Sequence, residues 1–411
     1  TERIIDACNK KEKIAICGDY DADGITSTVL LVELLSKLGA NAIPFIPSRM
    51  DDGYGLNLKM IEEINRMEIK LIITVDNGIS AIDSLRLANK YGIDVILTDH
   101  HKLTSKLPRV HSLIHPDTTP KDSPYKVLAG VGLAYILVKE LIEKHESQIN
   151  TNCLELLCIG TIADMAELKG ANRYYIKSIM KDMNKTSNIG LKELINISKL
   201  SNDIIRSEDI SFKIGPRINA VGRIDDPKKI IDLLTLNDLA QAKVSANICD
   251  QLNTKRKQIT SQTVNEAIEL LKTKYKQLPH FIILIKEDWN PGIIGIVAAK
   301  ITDKYNRPCA ILTKDKDNHL RASVRAPNWF SVNEALDLCR DYLTNYGGHK
   351  AAGGFTLDRL HINKVSNILN IFAFGIIQST QIEKIIKPET HLKFTEINEQ
   401  ILSLIDTMEP F

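Results

Sequence analysis

The chain has little from which to build a cross-linked protein. Its seven cysteines are an odd number and include no CxxC or CxxxC pair. This argues against a disulfide scaffold or a zinc site and for buried thiols in a reducing, cytoplasmic compartment. It has no excess of either charge: 53 Lys and Arg against 51 Asp and Glu leave a net +2, so a polyanion would be held by local patches, not by a global field. It also lacks a long apolar run. Val127–Val138, the most apolar segment by this reading, is interrupted by glycines and is well short of the ~20 residues of a membrane span. No signal peptide, low-complexity stretch or internal repeat is visible. What remains is an ordinary globular composition over 411 residues, enough for two or three domains. Because the chain begins almost at once with a strand, some preceding sequence is expected to be missing.

The informative stretch is residues 14–28, IAICGDYDADGITST. An apolar run, Ile14 to Cys17, reads as a buried strand that stops at Asp19, Asp21 and Asp23, with a helix from Ile25 to Leu38. Carboxylates at a strand end suit a hard cation, although Asp and Gly are also ordinary turn residues. Repetition decides between the two. Leu71–Val75 ends in Asp76, and Val95–Thr98 ends in Asp99-His100-His101. Alternating strands and helices imply right-handed crossovers and a parallel sheet, which would gather these strand ends along one edge. Imidazole with carboxylates suits Mn²⁺, and Mg²⁺ as well. Asp164 stands alone inside an apolar run, where a buried carboxylate needs a metal or hydrogen-bond partner.

Further on, Arg217, Asn219 and Arg223 surround a glycine in a stretch that reads as a loop and suits phosphate contact. Residues 237–276 read as one long helix with a polar middle. A second α/β domain follows, in which alternation puts Arg321, Ser323 and Arg325 on one strand face. The glycines of 347–354, including Gly348 beside His349 and Lys350, read as a loop whose amides can approach an anion.

Taken as a set, Asp19-x-Asp21-x-Asp23-Gly24, Asp76-Asn-Gly-x-Ser80, Asp99-His100-His101 and Gly160-Thr-Ile-Ala-Asp164 resemble the four motifs of the DHH phosphoesterase superfamily. Gly53-Tyr-Gly-Leu56, Pro216-Arg-x-Asn-Ala-x-Gly-Arg223 and Gly347-Gly-His-x-Ala-Ala-Gly353 resemble, within it, the RecJ single-strand-specific DNA exonucleases. The resemblance runs over nearly the whole chain. Cys17 sits where members vary, and Glu167 stands where proline is more usual; neither is a predicted ligand.

The resemblance implies an α/β fold of two domains joined by a long helix, with the active site in the groove between them. The expected divisions are a parallel-sheet DHH phosphoesterase domain over 1–200, a helical connection over 201–236 and the connector helix over 237–276. A smaller nucleic-acid-binding α/β domain over 277–380 and a tail over 381–411 would follow, the tail leading to an absent OB-fold. The implied activity is 5′-to-3′ removal of mononucleotides from single-stranded DNA in repair and recombination. Two divalent cations, Mn²⁺ or Mg²⁺, would be held by Asp19, Asp21, Asp76, His100 and Asp164. Asp23 would support them, Asp99 would orient His100, and His101 would contact the scissile phosphate. Arg49 and Tyr54, the latter by stacking on a base, would join Arg217, Asn219, Arg223, Arg321, Ser323, Arg325, Gly348 and His349 in binding the strand. A monomer is expected, with a helicase and a single-strand-binding protein as partners and no membrane. Two competing classes are a superfamily phosphodiesterase for short oligonucleotides or cyclic dinucleotides and a scaffold that has lost its ligands. The full set of carboxylates argues against the scaffold.

Overall fold

Five short apolar runs, Lys13–Cys17 (β1), Asn41–Phe45 (β2), Leu71–Thr74 (β3), Asp94–Thr98 (β4) and Ser112–Ile114 (β5), pair side by side in the order β2-β1-β3-β4-β5, all parallel. The structure, a computed structural model, describes residues 1–49, 53–103, 106–145, 153–200, 204–379, 388 and 390–411. Asp52, just before the glycine turn Gly53-Tyr-Gly-Leu56, residue 380 at the end of the expected second domain, and residues 381–387 and 389 of the tail lie outside it.

Parallel strands need crossovers, and helices Glu2–Asn9 (α1), Ala22–Lys37 (α2), Leu58–Arg66 (α3) and Ile82–Lys90 (α4) alternate with the first strands. Because side chains alternate across a strand, each strand feeds two cores. Ile14, Ile16, Leu71, Ile73 and Ile96 bury against the α2 side, while Ala15, Cys17, Ile72, Val95 and Leu97 bury against α3 and α4. The α2 side is thickened by Gly130–Lys144 (α5), Cys153–Ala163 (α6), Gly170–Ile179 (α7), Ile189–Ile197 (α8), Ser207–Asp209 (α9), Gly215–Ile224 (α10) and Lys228–Thr235 (α11).

Two readings differ from the expectation. Residues 201–236, read as a connection, bury Ile205, Ile210, Ile214, Ile218 and Ile230 in the same core as α2. The stretch read as a phosphate loop is helix α10, preceded by a π-helical turn over Ile210–Ile214. Its Gly and Pro content suggests a loop, but Pro216 sits in the first turn, where a helix tolerates it.

Helix α12, Leu239–Lys274, is continuous, and the division between two compact units falls inside it, at Asn253 and Thr254. The second unit holds Ile282–Ile285 (β6), Ile294–Tyr305 (α13), Cys309–Lys314 (β7), Leu320–Arg325 (β8), Val332–Asp337 (α14), Asn345–Gly348 (β9), Ala352–Leu357 (β10) and Ile362–Ser379 (α15). Its sheet order is β6-β7-β8-β10-β9, parallel between β6 and β7 and antiparallel elsewhere. The glycine run read as a loop is thus largely a hairpin, Gly353 pairing with Gly348. The segment Arg359–Ser379 is long and apolar enough to cross a membrane, a feature the sequence reading passes over; Val365, Leu369 and Ala373 on it bury in this unit's core around Phe330. The last helix, Glu399–Met408 (α16), belongs with the first unit. Its end is tied there by Arg173, which donates to the carbonyls of Met408 and Pro410.

Candidate metal and phosphate site

The strand order 2-1-3-4-5 reverses direction between β1 and β3, and in an open parallel sheet the crevice at that point, beyond the carboxyl ends of the strands, is where ligands bind. Asp19 follows β1 and Asp76 follows β3. The residues after them are shaped for the purpose. Asp21 caps α2, accepting from the amides of Asp23 and Gly24, and Gly24 packs so closely on Asp19 that a Cβ would lie 2.5 Å from its nitrogen. Asp76 has a left-handed backbone, φ 61°, a conformation that Asp and Asn tolerate better than most residues.

Asn77 holds the edge together. Its side chain donates to the carbonyls of Cys17 and Val75 and accepts from Leu56, joining β1, β3 and the glycine turn. Nothing in the sequence reading assigns it that role. The same is true of the first turn of α5, where the amides of Gly130 and Val131 each donate 2.7 Å to an oxygen of Asp23. Gly130 permits this approach, since a Cβ would lie 2.6 Å from that of Asp76.

His100 Nε2 lies 3.0 Å from Asp76 Oδ1 and 3.8 Å from Asp23 Oδ2. Two overlapping trios result, Asp76-His100-His101 and Asp23-His100-Asp164, each with its ligand atoms within 4.8 Å of one another. Gly160 lets α6 approach α2, a Cβ there meeting Thr26 at 2.4 Å, and so brings Asp164 to this edge one turn later. Asp164 is exposed, not buried as its apolar flanks suggest, because it stands at the end of α6.

The electrostatics are those of a crowded acidic pocket. Burial, reinforced by neighbouring carboxylates, pushes Asp19, Asp23 and Asp76 well above the usual range. The protein packed around the carboxyl of Asp164, whose residue as a whole is exposed, and then Asp21 carry it up to about 7. Burial, then the neighbouring His101, lowers His100 to about 4, leaving a neutral imidazole with a lone pair to offer. Asp19 Oδ2 is buried without a hydrogen-bond partner among the described residues, and Asp76 Oδ1 and His100 Nε2, buried 3.0 Å apart, have no hydrogen bond to any other described group. Unsatisfied buried acceptors are costly, and a divalent cation satisfies all three while reversing the charge crowding. The residues present therefore fit such an ion.

Asp99 does not orient His100 as expected. Its Oδ1 accepts from the His101 amide at 3.0 Å and meets His101 Nδ1 at 2.8 Å, while Oδ2 accepts from Ile79. Two residues along a turning chain, His101 folds back onto Asp99, whereas His100 turns its Nε2 to Asp76. Burial is the largest influence on His101 and disfavours its charge, but the Asp99 hydrogen bond and the charges of Asp99, Asp164 and Asp21 together outweigh it and raise its pKa. Tyr54, half-exposed, is tied down as well, its hydroxyl 3.0 Å from the Asp76 carbonyl and 3.1 Å from His101 Nε2. That bonding, with its ring edge-on to His101, leaves it placed as a clamp on the site and not as a free stacking face. The Arg49 guanidinium lies over Tyr20, 4.1 Å from the ring centroid.

Of the α10 residues, Arg217 is bound to Asp250 and to the Lys213 carbonyl. Asn219 accepts from the Ala22 amide at 2.8 Å, and Gly222 packs on the Tyr20 carbonyl. As placed, Asn219 and Gly222 buttress the acidic turn. Arg223 lies half-buried in the last turn of α10. Beside the acidic edge, a cavity of about 410 Å³ is lined by His100, Asp164, His115, Asp117, Lys126 and Leu128.

In the second unit, Arg321, Ser323 and Arg325 do share the less buried face of β8. Arg325 donates to Ser323 Oγ and to the Val324 carbonyl. Gly295, in the first turn of α13, packs on this pair, a Cβ there lying 3.0 Å from Ser323 Oγ and 3.2 Å from Arg325 Nη2. A guanidinium, a hydroxyl and helix-start amides in one place suit a phosphate. Gly348 and His349 lie on the exposed β9–β10 hairpin, where the His349 amide donates to the Ala352 carbonyl.

The chain is similar to known proteins in both sequence and fold. Residues 13–161 match the profile of the DHH family, N-terminal domain, and residues 272–373 that of the DHHA1 domain. The chain is 35% identical over 411 residues to the single-stranded-DNA-specific exonuclease RecJ of Bacillus subtilis, covering all of this chain and 52% of that protein. It is 32% identical to the RecJ exonuclease of Haemophilus influenzae, covering 98% of this chain and 74% of that one. A crystal structure of exonuclease RecJ bound to manganese superposes with a TM-score of 0.80 at 30% identity, over 92% of this chain and 95% of that one. The chain thus spans between about half and three quarters of the length of these two curated relatives.

Proposed function

Since this chain belongs to the family of RecJ single-stranded-DNA-specific exonucleases, we propose that it removes 5′-mononucleotides from single-stranded DNA, 5′ to 3′, by metal-dependent hydrolysis. The observation that supports this reading is the buried cluster at the sheet's switch point, where Asp19 Oδ2 has no partner among the described residues and Asp76 Oδ1 and His100 Nε2 have only each other. Asp19, Asp21, Asp76, His100 and Asp164 would hold two divalent cations, Mn²⁺ or Mg²⁺, with Asp23 beside them. When bound, such ions activate water and neutralise charge on a phosphodiester.

The chain's own groups do the rest. Asp99 holds His101 with Nδ1 toward itself, so that the opposite ring edge, where Nε2 meets the Tyr54 hydroxyl, would turn with that hydroxyl to a non-bridging phosphate oxygen. Asp23, anchored by two amides of α5, keeps the acidic edge in register. The cavity next to His100 would take the nucleotide beside the scissile phosphate. In the second unit, Arg325, Ser323 and the start of α13 would bind the terminal 5′-phosphate, with Arg321, Gly348 and His349 along the strand. Arg49, Tyr54, Arg217, Asn219 and Arg223 remain proposed contacts, the bonding of Arg217 and Asn219 within the fold favouring a supporting part for those two. The enzyme would act in DNA repair and recombination, in the cytoplasm and as a monomer, on strands supplied by a helicase or covered by a single-strand-binding protein.

The test is product analysis with Mn²⁺ on a 5′-phosphorylated single strand labelled at its 3′ end. Stepwise shortening of the labelled strand is the expected result. Cleavage confined to di- to pentanucleotides would move the chain to the short-substrate class instead.

A further inference from the structure

The β4–β5 pairing is only three residues long, ending at Thr98 opposite Ile114, with one further bond from the Asp99 amide to the Ile114 carbonyl. Beyond it the backbone of His100 and His101 runs on without a sheet neighbour. The next residue on the β5 side is His115, 2% exposed, and both of its ring nitrogens are engaged. Nδ1 accepts from the Asp117 amide at 3.0 Å, so the ring proton is on Nε2, which donates to the His101 carbonyl at 2.7 Å. The turn behind it is closed by the Thr118 amide and hydroxyl, both donating to the His115 carbonyl.

We infer that His115 is a positioning residue for His101: its Nε2–H supplies the rung the sheet lacks and fixes the peptide carrying His101. The inference rests on the reading of His101 as a phosphate contact. Side-chain ties on both sides, Asp99 to the ring and His115 to the carbonyl, leave the His101 imidazole one placement. A displacement of the order of 1 Å at such a group costs up to about a hundred-fold in rate.

The experiment compares wild type, His115→Leu and His115→Gln with Mn²⁺ on the 3′-labelled strand, alongside Mn²⁺ binding and a long-range ¹H–¹⁵N spectrum of the metal-free protein. His115→Leu is expected to lower kcat about ten- to hundred-fold with little change in KM or in the number of Mn²⁺ bound. His115→Gln, whose amide nitrogen reaches the place of Nε2, is expected to recover most of that loss. The wild-type spectrum is expected to show His115 as the Nε2–H tautomer at neutral pH. Full activity in His115→Leu, no recovery in a His115→Gln protein that melts like wild type, or an Nδ1–H tautomer would each overturn the inference. Should His115→Leu fail to fold, His115→Gln and the spectrum still decide it. A wild type inert on DNA would instead overturn the exonuclease reading, which the tautomer leaves untouched.

Discussion

The acidic edge of the first unit and the basic face of β8 in the second are built on opposite plans. At the acidic edge, Asp19, Asp23, Asp76 and Asp99 are almost wholly buried and fixed by backbone amides, an asparagine and helix starts. On β8, Arg321, Ser323 and Arg325 are only half-buried and ride on a regular strand. A site that must hold small ions needs ligands placed to fractions of an ångström, and low dielectric makes their charges count. A face that would hold a strand's phosphates, as proposed for β8, needs charge and reach, and loses little by being wet.

The sharpest way to break the contrast is Asp76→Asn. Asparagine keeps the left-handed backbone, so the protein is expected to fold. Activity should fall by at least about a thousand-fold. The metal-free variant should melt no lower than wild type, because a buried charge has been removed. Mn²⁺ at a hundred times its dissociation constant should stabilise wild type by about 2.7 kcal/mol and the variant far less, which calorimetry with and without Mn²⁺ will show. Next in size, Arg325→Ala should lower kcat/KM about ten- to hundred-fold on 5′-phosphorylated strands, the worth of one charge-assisted hydrogen bond. On 5′-hydroxyl strands it should do little, and kinetics on the paired substrates give the comparison.

Arg217→Ala should reduce kcat/KM only a few-fold while costing about 1 kcal/mol in urea unfolding, since its partner is Asp250. Equal losses on every strand length with unchanged stability would return Arg217 to the DNA-binding group. The smallest effect concerns two acids away from both regions. Burial raises Glu33 and Glu155 above their ordinary values. Their contribution is therefore complete below the unfolded carboxyl value and is lost as pH rises through the raised one. Glu155→Gln should accordingly gain melting temperature over wild type at mildly alkaline pH, lose that advantage on acidification, and leave the nuclease rate alone; melting curves across pH follow it.

The sequence makes the β1, β3 and β4 strand ends readable because each is an apolar run halted by charge, a pattern that is local. What it hides is non-local. Asn77, His115 and the α5 amides act through partners 14 to 108 residues away, and no periodicity marks them. β5 is three half-buried residues that exist as a strand only beside β4. Composition misleads at α10 and β10, where glycines are there to let another backbone come close, Tyr20 against Gly222 and Gly347 against Gly353, and not to make a loop. The pairing of Asp99 with His101 instead of His100 depends on which way a turn folds back, which motif spacing leaves open.

The left-handed backbone at Asp76 has an evolutionary side. A single-base change converts an aspartate codon to asparagine, the other residue at ease in that conformation. Chemistry and architecture can thus part company in one step, leaving a chain that has stopped cutting but still presents an intact sheet edge to whatever it meets. Lineages that turn an old nuclease into an assembly platform have, at this position, a short road to follow.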